Sequence, residues 1–310
     1  MTRQIKIGTR GSRLALWQAG YIKSEIEKLN PQYNVTVTTI KTKGDIITDV
    51  PLAKIGGKGL FVKEIELALL NNQIDIAVHS LKDMPSVMPN GLCIGAIPKR
   101  ENPQDILVSK NNIKLSELKT GAVIGTSSLR RATQILFYRP DLKISPLRGN
   151  LDTRLKKLQT EAIDGIILAA AGIKRLGYQK HIAEYIDPEI ILPAAGQGAL
   201  CVQIRQEDNK ILSVAEKLNS ETTQYEVAGE RALLHKLEGD CQIPIAAFGK
   251  ANNNKYALTG LIANTSGKII IKNQINGNLK DAAKLGLKLA EKLIDMGADD
   301  ILQEIKNSVA

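Results

Sequence analysis

IGTRGSRLALWQ at residues 7–18 and IGTSSLRRATQI at residues 124–135 carry the same succession: an apolar run, Gly-Thr, a Ser, then an apolar-periodic stretch with Arg in its first turn. Each reads as a strand that ends in a tight turn and feeds a helix. Such junctions leave unpaired N–H groups and the positive end of a helix dipole facing one spot, where α/β folds bind anions. The recurrence admits two readings: two similar lobes facing one cleft, or two ordinary strand-to-helix turns that look alike.

Outward from these stretches, short β-branched runs at 5–9, 35–41, 74–79, 92–97, 106–108, 123–125 and 165–168 read as strands. Helical patterns lie between them at 13–29, 59–71, 128–138 and 150–159, and the alternation predicts α/β layers. Beyond them, 209–218 and 221–237 read as helices, 243–250, 255–263 and 268–275 as strands, and 279 onward as a long helical tail. That last part predicts a small α+β domain.

The chain has 310 residues, 43% of them hydrophobic and 24% charged, a balance that excludes disordered and fibrous classes and allows two or three domains. No apolar run reaches the roughly 18 residues of a membrane span, and the charged start MTRQIKIGTRGSR does not read as a signal peptide. The expectation is a cytoplasmic, monomeric protein with no membrane partner. Three cysteines, Cys93, Cys201 and Cys241, form no CxxC pair and have no His at ligand spacing, so neither a disulfide framework nor a metal site is expected.

The net charge is +10, and residues 221–310 hold eleven Lys+Arg against eleven Asp+Glu, so the whole excess falls in the first 220 residues. That part is expected to meet an anion. Dense basic runs with interleaved aromatics are missing, which disfavours nucleic acid and favours a small or oligomeric polycarboxylate or phosphate.

Four segments carry candidate chemistry. HSLKDMP at 79–85 follows the apolar run IDIAV and puts Ser80, Lys82 and Asp83 at a sheet's carboxyl edge, a cation beside a carboxylate. A generic Lys-Asp pair in a solvated turn is the plainer alternative. Six of the twelve arginines lie between 126 and 175, and Arg130, Arg131, Arg148, Arg154 and Arg175 occupy turn or helix-start positions. Arg binds carboxylates in a bidentate fork whatever its surroundings, so this choice over Lys favours oxyanion recognition. Arg139 fits a screened helix face. LAKIGGKGLFVKEIE at 52–66 lacks P-loop spacing and reads either as a mobile lid with Lys54 and Lys58 touching an anion or as a plain loop. Cys93 and Cys201 sit in apolar, strand-like contexts, whereas Cys241 in EGDCQIP sits in a loop, either inert or a point of covalent attachment.

Taken in order, IGTRGSRLALWQA, GGKGLFVKEIE, DIAVHSLKDMP, IGTSSLRR, LRGN, DGIILAAAGIKRLG, LPAAGQGAL and EGDCQIPIAAFG resemble the porphobilinogen deaminase (hydroxymethylbilane synthase) family of transferases over nearly 250 residues. The resemblance implies two lobes of type II periplasmic-binding-protein topology around a cleft, residues 1–99 with 200–219 and residues 100–199. It also implies a small α+β C-terminal domain at 220–310 that carries the cofactor. That cofactor is a dipyrromethane joined through sulfur to Cys241. The family joins four porphobilinogen molecules head to tail on it, losing ammonia each time, and releases linear hydroxymethylbilane by hydrolysis.

By the same resemblance, Asp83 is the catalytic carboxylate, stabilising positive charge that develops on a pyrrole. Lys82, Asp83, Thr126, Ser128, Arg130, Arg131 and Arg148 are implied to hold the cofactor, and Arg10, Ser12, Arg148, Arg154 and Arg175 the carboxylates of the substrate and growing polypyrrole chain. Asp240 departs from the family pattern, which commonly has a second glycine before the cysteine. A two-lobed solute-binding module is the competing reading; it accounts for the arginines and the lid but not for the loop cysteine.

Overall fold

The computed structural model describes residues 3–46, 62–237 and 243–309. These divide into two compact units, residues 1–101 with 198–224 and residues 102–197 with 225–310.

In the first unit the apolar alternation of RQIKIGT builds β1 (Arg3–Thr9), which pairs in parallel with β2 (Tyr33–Thr39) and with β3 (Ile76–Ser80). The strand β10 (Leu200–Arg205) returns antiparallel beside β3, with β4 (Leu92–Ala96) on its far side, so the sheet order is β2-β1-β3-β10-β4. The helix α1 (Arg13–Leu29) follows β1 and buries Ala15, Gln18, Ala19, Ile22 and Ile26, the stripe its 3.6-residue periodicity dictates. The helix α2 (Lys63–Leu70) buries Ile65, Ala68 and Leu69 against Ile74, Ala77 and Leu92.

The second unit repeats the plan. The strand β6 (Val123–Gly125) lies between β7 (Lys143–Ser145) and β8 (Gly165–Ala169), all parallel. The strand β5 (Asp105–Ser109) runs antiparallel to β8, and β9 (Glu184–Tyr185) closes the edge, giving β7-β6-β8-β5-β9. Three parallel strands with the middle one first in sequence, extended by an antiparallel strand and one edge strand, occur in both sheets in the same spatial order. This is the type II arrangement, and of the two readings of the repeated sequence it supports duplication. The helices α3 (Leu129–Tyr138), α4 (Leu151–Thr160) and α5 (Ala170–Arg175) each follow one of the parallel strands.

Farther along the chain, α6 (Asn209–Ala215) and α7 (Glu221–Lys236) lead to an antiparallel meander of β11 (Ile245–Asn252), β12 (Lys255–Ala263) and β13 (Ile270–Asn278). The helices α8 (Ala282–Leu293) and α9 (Asp299–Val309) follow it. Leu233, Tyr256, Leu258, Leu289, Leu293 and Ile301 form its core. The tail is not one continuous helix: Gly297 takes φ +102°, a left-handed conformation that breaks the ladder between α8 and α9.

Candidate active site

In the first unit, pairing of Ile7 with Ile76 and Gly8 with Ala77 aligns β1 and β3, so the segments after Thr9 and after Ser80 leave the sheet at one carboxyl edge. Ser12 caps α1, its Oγ accepting from the Ala15 N–H at 3.3 Å. Arg10 reaches across to Asp45, with Nε 3.1 and 3.2 Å from the two carboxylate oxygens, and the Thr42 hydroxyl donates to the same carboxylate at 2.8 Å. Burial works against ionisation of Asp45, but the Arg10 guanidinium and the Thr42 hydroxyl outweigh it and hold the carboxyl below its ordinary value.

After β3 the chain makes one 3-10 turn, Leu81–Asp83, closed by the Met84 N–H on the Leu81 carbonyl. Leu81 is buried and anchors the turn, leaving Lys82 and Asp83 half-buried at its surface. No described residue donates to or pairs with the Asp83 carboxylate. Its four lone-pair sites stand open to a ligand.

Beneath this turn lies a buried polar chain. His79 Nε2 lies 3.1 Å from Gln203 Oε1, and Gln203 Nε2 donates to Glu66 Oε1 at 2.9 Å. The amide orientation of Gln203 assigns the ring proton to Nε2. Gln18 of α1 donates to Ser80 Oγ at 2.9 Å, so both residues before the turn are held by side-chain bonds. Burial drives His79 down to about 4, against the opposing pull of Gln203, so the ring is neutral at physiological pH.

In the second unit, pairing of Gly125 with Ser145 and with Ile166 brings the ends of β6, β7 and β8 to one carboxyl edge. Thr126, Ser128, Arg130 and Arg131 follow β6, Arg148 follows β7, and Arg175 ends the helix after β8. Ser127 joins two of these segments: its hydroxyl donates to the Leu147 carbonyl at 3.0 Å and accepts from the Leu147 N–H at 2.9 Å. Arg154, in the first turn of α4, donates through Nε to the Gly149 carbonyl at 2.9 Å, so its guanidinium folds back beside the Arg148 loop. Asn150 caps α4 by accepting from the Thr153 N–H.

The start of α3 is built differently. Ser128 is its N-cap residue but makes no side-chain cap bond, and the buried Thr126 hydroxyl accepts from the Ser128 N–H at 3.2 Å. Arg130 and Arg131 are each 6% exposed and converge on the wholly buried Asp105. Arg130 Nη1 donates to Asp105 Oδ2 and to the Leu192 carbonyl, both at 2.7 Å. Arg131 Nε and Nη2 lie 2.9 and 2.7 Å from Asp105 Oδ1, and its Nη1 donates to the Ile167 carbonyl at 3.1 Å. Gln197 adds a bond to Oδ1 at 3.1 Å, and its loop is fixed by Gly196, whose N–H donates to buried Glu230 at 2.7 Å. Burial alone raises the Asp105 carboxyl, but the two guanidiniums dominate and hold it well below the usual carboxylate range.

Asp105, Arg130 and Arg131 therefore sum to one surplus positive charge in a nearly enclosed place. Arg130 keeps Nε and Nη2 without an acceptor among the described residues. An uncapped helix start, a hydroxyl and an unsaturated guanidinium make a donor set matched to a carboxylate. These residues fit a group bearing carboxylate arms.

Asp105 belongs to no motif in the sequence; its only sign there is an acidic residue heading the apolar run DILVS. Arg139 is committed to Asp141 and to the carbonyls of Leu115, Ser116 and Leu118, which fits a structural role. Cys201 is buried and Cys93 partly so, and burial pushes the Cys93 thiol up. Cys241, Asp240, Lys54 and Lys58 lie outside the described residues. No helix of the described residues is long and apolar enough to cross a membrane, and none of their acidic, His or Cys side chains cluster as a metal site.

Two family models match the chain: the porphobilinogen deaminase dipyromethane cofactor binding domain over residues 5–213, and the porphobilinogen deaminase C-terminal domain over residues 224–295. The chain is 50% identical over 311 residues to porphobilinogen deaminase of Bacillus subtilis, covering 100% of this chain and 98% of the relative. It is 50% identical over 306 residues to that of Desulforamulus reducens, covering 99% of each. It is 49% identical over 303 residues to that of Geotalea uraniireducens, covering 98% of this chain and 95% of the relative. With matched models spanning both the lobes and the C-terminal part, the chain belongs to the porphobilinogen deaminase family.

Proposed function

We propose that this chain condenses four porphobilinogen molecules head to tail into hydroxymethylbilane with Asp83 as the catalytic carboxylate and Cys241 as the sulfur that carries the dipyrromethane. When bound, that group supplies the pyrrole carbon from which the oligomer grows. Loss of ammonia from porphobilinogen leaves positive charge on its pyrrole, and an open carboxylate on a short, anchored turn accepts the pyrrole N–H and stabilises that charge. Because no described residue pairs with it, no ion pair among them is broken when the substrate arrives.

The observation that carries the reading is the surplus positive charge at the start of α3, with Arg130 Nε and Nη2 left without an acceptor among the described residues. Arg130, Arg131, Thr126, Ser128, Arg148 and Lys82 hold the carboxylates of the primer, and Arg10, Ser12, Arg148, Arg154 and Arg175 those of the incoming and appended units. Each charged hydrogen bond contributes about 1.5–3 kcal/mol. Lys54 and Lys58 serve as a lid. Residues 220–310 form the attachment domain, supported by their own sheet and core, beside lobes at 1–99 with 200–219 and at 100–199. The protein works as a monomer in the cytoplasm, without nucleic acid, which light scattering and cell fractionation check.

The test is turnover of porphobilinogen by the purified chain, with ammonia released and a linear product that cyclises to uroporphyrinogen. Four ammonia per product is the expected stoichiometry. Unchanged porphobilinogen would refute the assignment.

A further inference from the structure

Asp105 heads β5 with no exposed surface, a place where a carboxylate is costly unless fully paired. All its side-chain donors come from Arg130, Arg131 and Gln197. Removing it would leave two like charges adjacent and nearly enclosed, each held by one backbone carbonyl alone, Leu192 for Arg130 and Ile167 for Arg131. We propose that Asp105 is a positioning residue for carboxylate recognition. It anchors Arg130 through Nη1 and Arg131 through Nε and Nη2, so that Arg130 Nε and Nη2 are aimed before a ligand arrives, and it leaves the pair one positive charge to offer.

This rests on the reading that the α3 arginines receive pyrrole carboxylates. It deepens that reading, because the fixed surplus of one charge makes the site selective for an anion that brings a single carboxylate to Arg130.

The experiment uses the full chain produced in a host unable to make porphobilinogen. Two rates are measured in native, Asp105→Asn and Asp105→Glu chains: appearance of the pyrrole adduct mass after adding porphobilinogen, and modification of Arg131 by phenylglyoxal, mapped by peptide mass. Asp105→Asn is expected to gain the adduct about ten- to a hundredfold more slowly and to expose Arg131 to faster modification, with Asp105→Glu intermediate in both. Both rates within about twofold of native would overturn the proposal. If Asp105→Asn does not fold, the double variant Arg130→Met, Asp105→Asn keeps the native surplus charge; Arg131 is expected to be modified faster there, and a native rate overturns the positioning role. Arg130→Met alone separates the two levels: if it gains the adduct at the native rate, the carboxylate reading itself falls. If it is slow while Asp105→Asn is native-like, only the role of Asp105 falls.

Discussion

Acidification tests the buried chain under the Asp83 turn. His79 is held at about 4 in the folded protein, against about 6.5 in an unfolded chain. The sign follows from proton uptake: between those values the unfolded state binds the proton and the folded state resists it, so stability is lost as pH falls from about 6.5 toward about 4. At pH 5 the unfolded ring is almost wholly protonated and the folded ring about one-tenth so, which removes about 2 kcal/mol relative to pH 7. His79→Gln keeps an N–H donor within reach of Gln203 but has nothing to titrate. Urea unfolding of both chains at pH 7 and pH 5 gives the comparison. The native chain is expected to lose about 2 kcal/mol more than the variant over that interval, and equal losses would refute the burial and neutrality assigned to this ring.

Asp83→Asn is expected to fold and acquire its adduct normally while turnover falls by roughly two or more decades; wild-type turnover would remove Asp83 from the mechanism. Arg148→Ala is expected to stall elongation, seen as partial oligomers on the intact chain by mass spectrometry, and a normal product yield with no stalled species would count against it. Gly149 adopts φ +112°, and a Cβ there would sit 2.6 Å from Thr153 Cγ2. Gly149→Ala is therefore expected to destabilise by about 1–3 kcal/mol and to disturb the Arg148 loop and the Arg154 contact, read as a lower thermal midpoint with a raised KM.

Local pattern and tertiary need explain what the sequence disclosed. The stripe of α1 and the junctions at Thr9 and Gly125 are written in residue spacing, and the structure has α1 at the predicted 13–29. Short strands carry too little pattern: β7 has three residues and β9 two, and each exists because a neighbour, β6 for β7 and the longer β5 for β9, pairs with it. The short helix α5, in the run AAGIKR, is likewise set by packing after β8 rather than by periodicity. Gly297 shows how one residue divides a helical pattern that otherwise continues.

At the site, residue type announced the arginines and the HSLKDMP turn, but not their bonds. Asp105 binds Arg130 and Arg131 across 25 and 26 residues of sequence, and Gln203 meets His79 across 124. Such pairings depend on strand order, which no local window contains. Arg10 illustrates the same limit, since its engagement with Asp45 follows from where the turn after β2 comes to lie.

The proposed function requires a thiol in this chain to hold a pyrrolic primer on which monomers are stitched. Intact-mass measurement of the purified protein from a haem-making host, followed by peptide mapping, addresses it directly. The expected result is added mass corresponding to two pyrrole units, located on the peptide containing Cys241. A chain that weighs only what its amino acids weigh, and stays so after exposure to porphobilinogen, would contradict it.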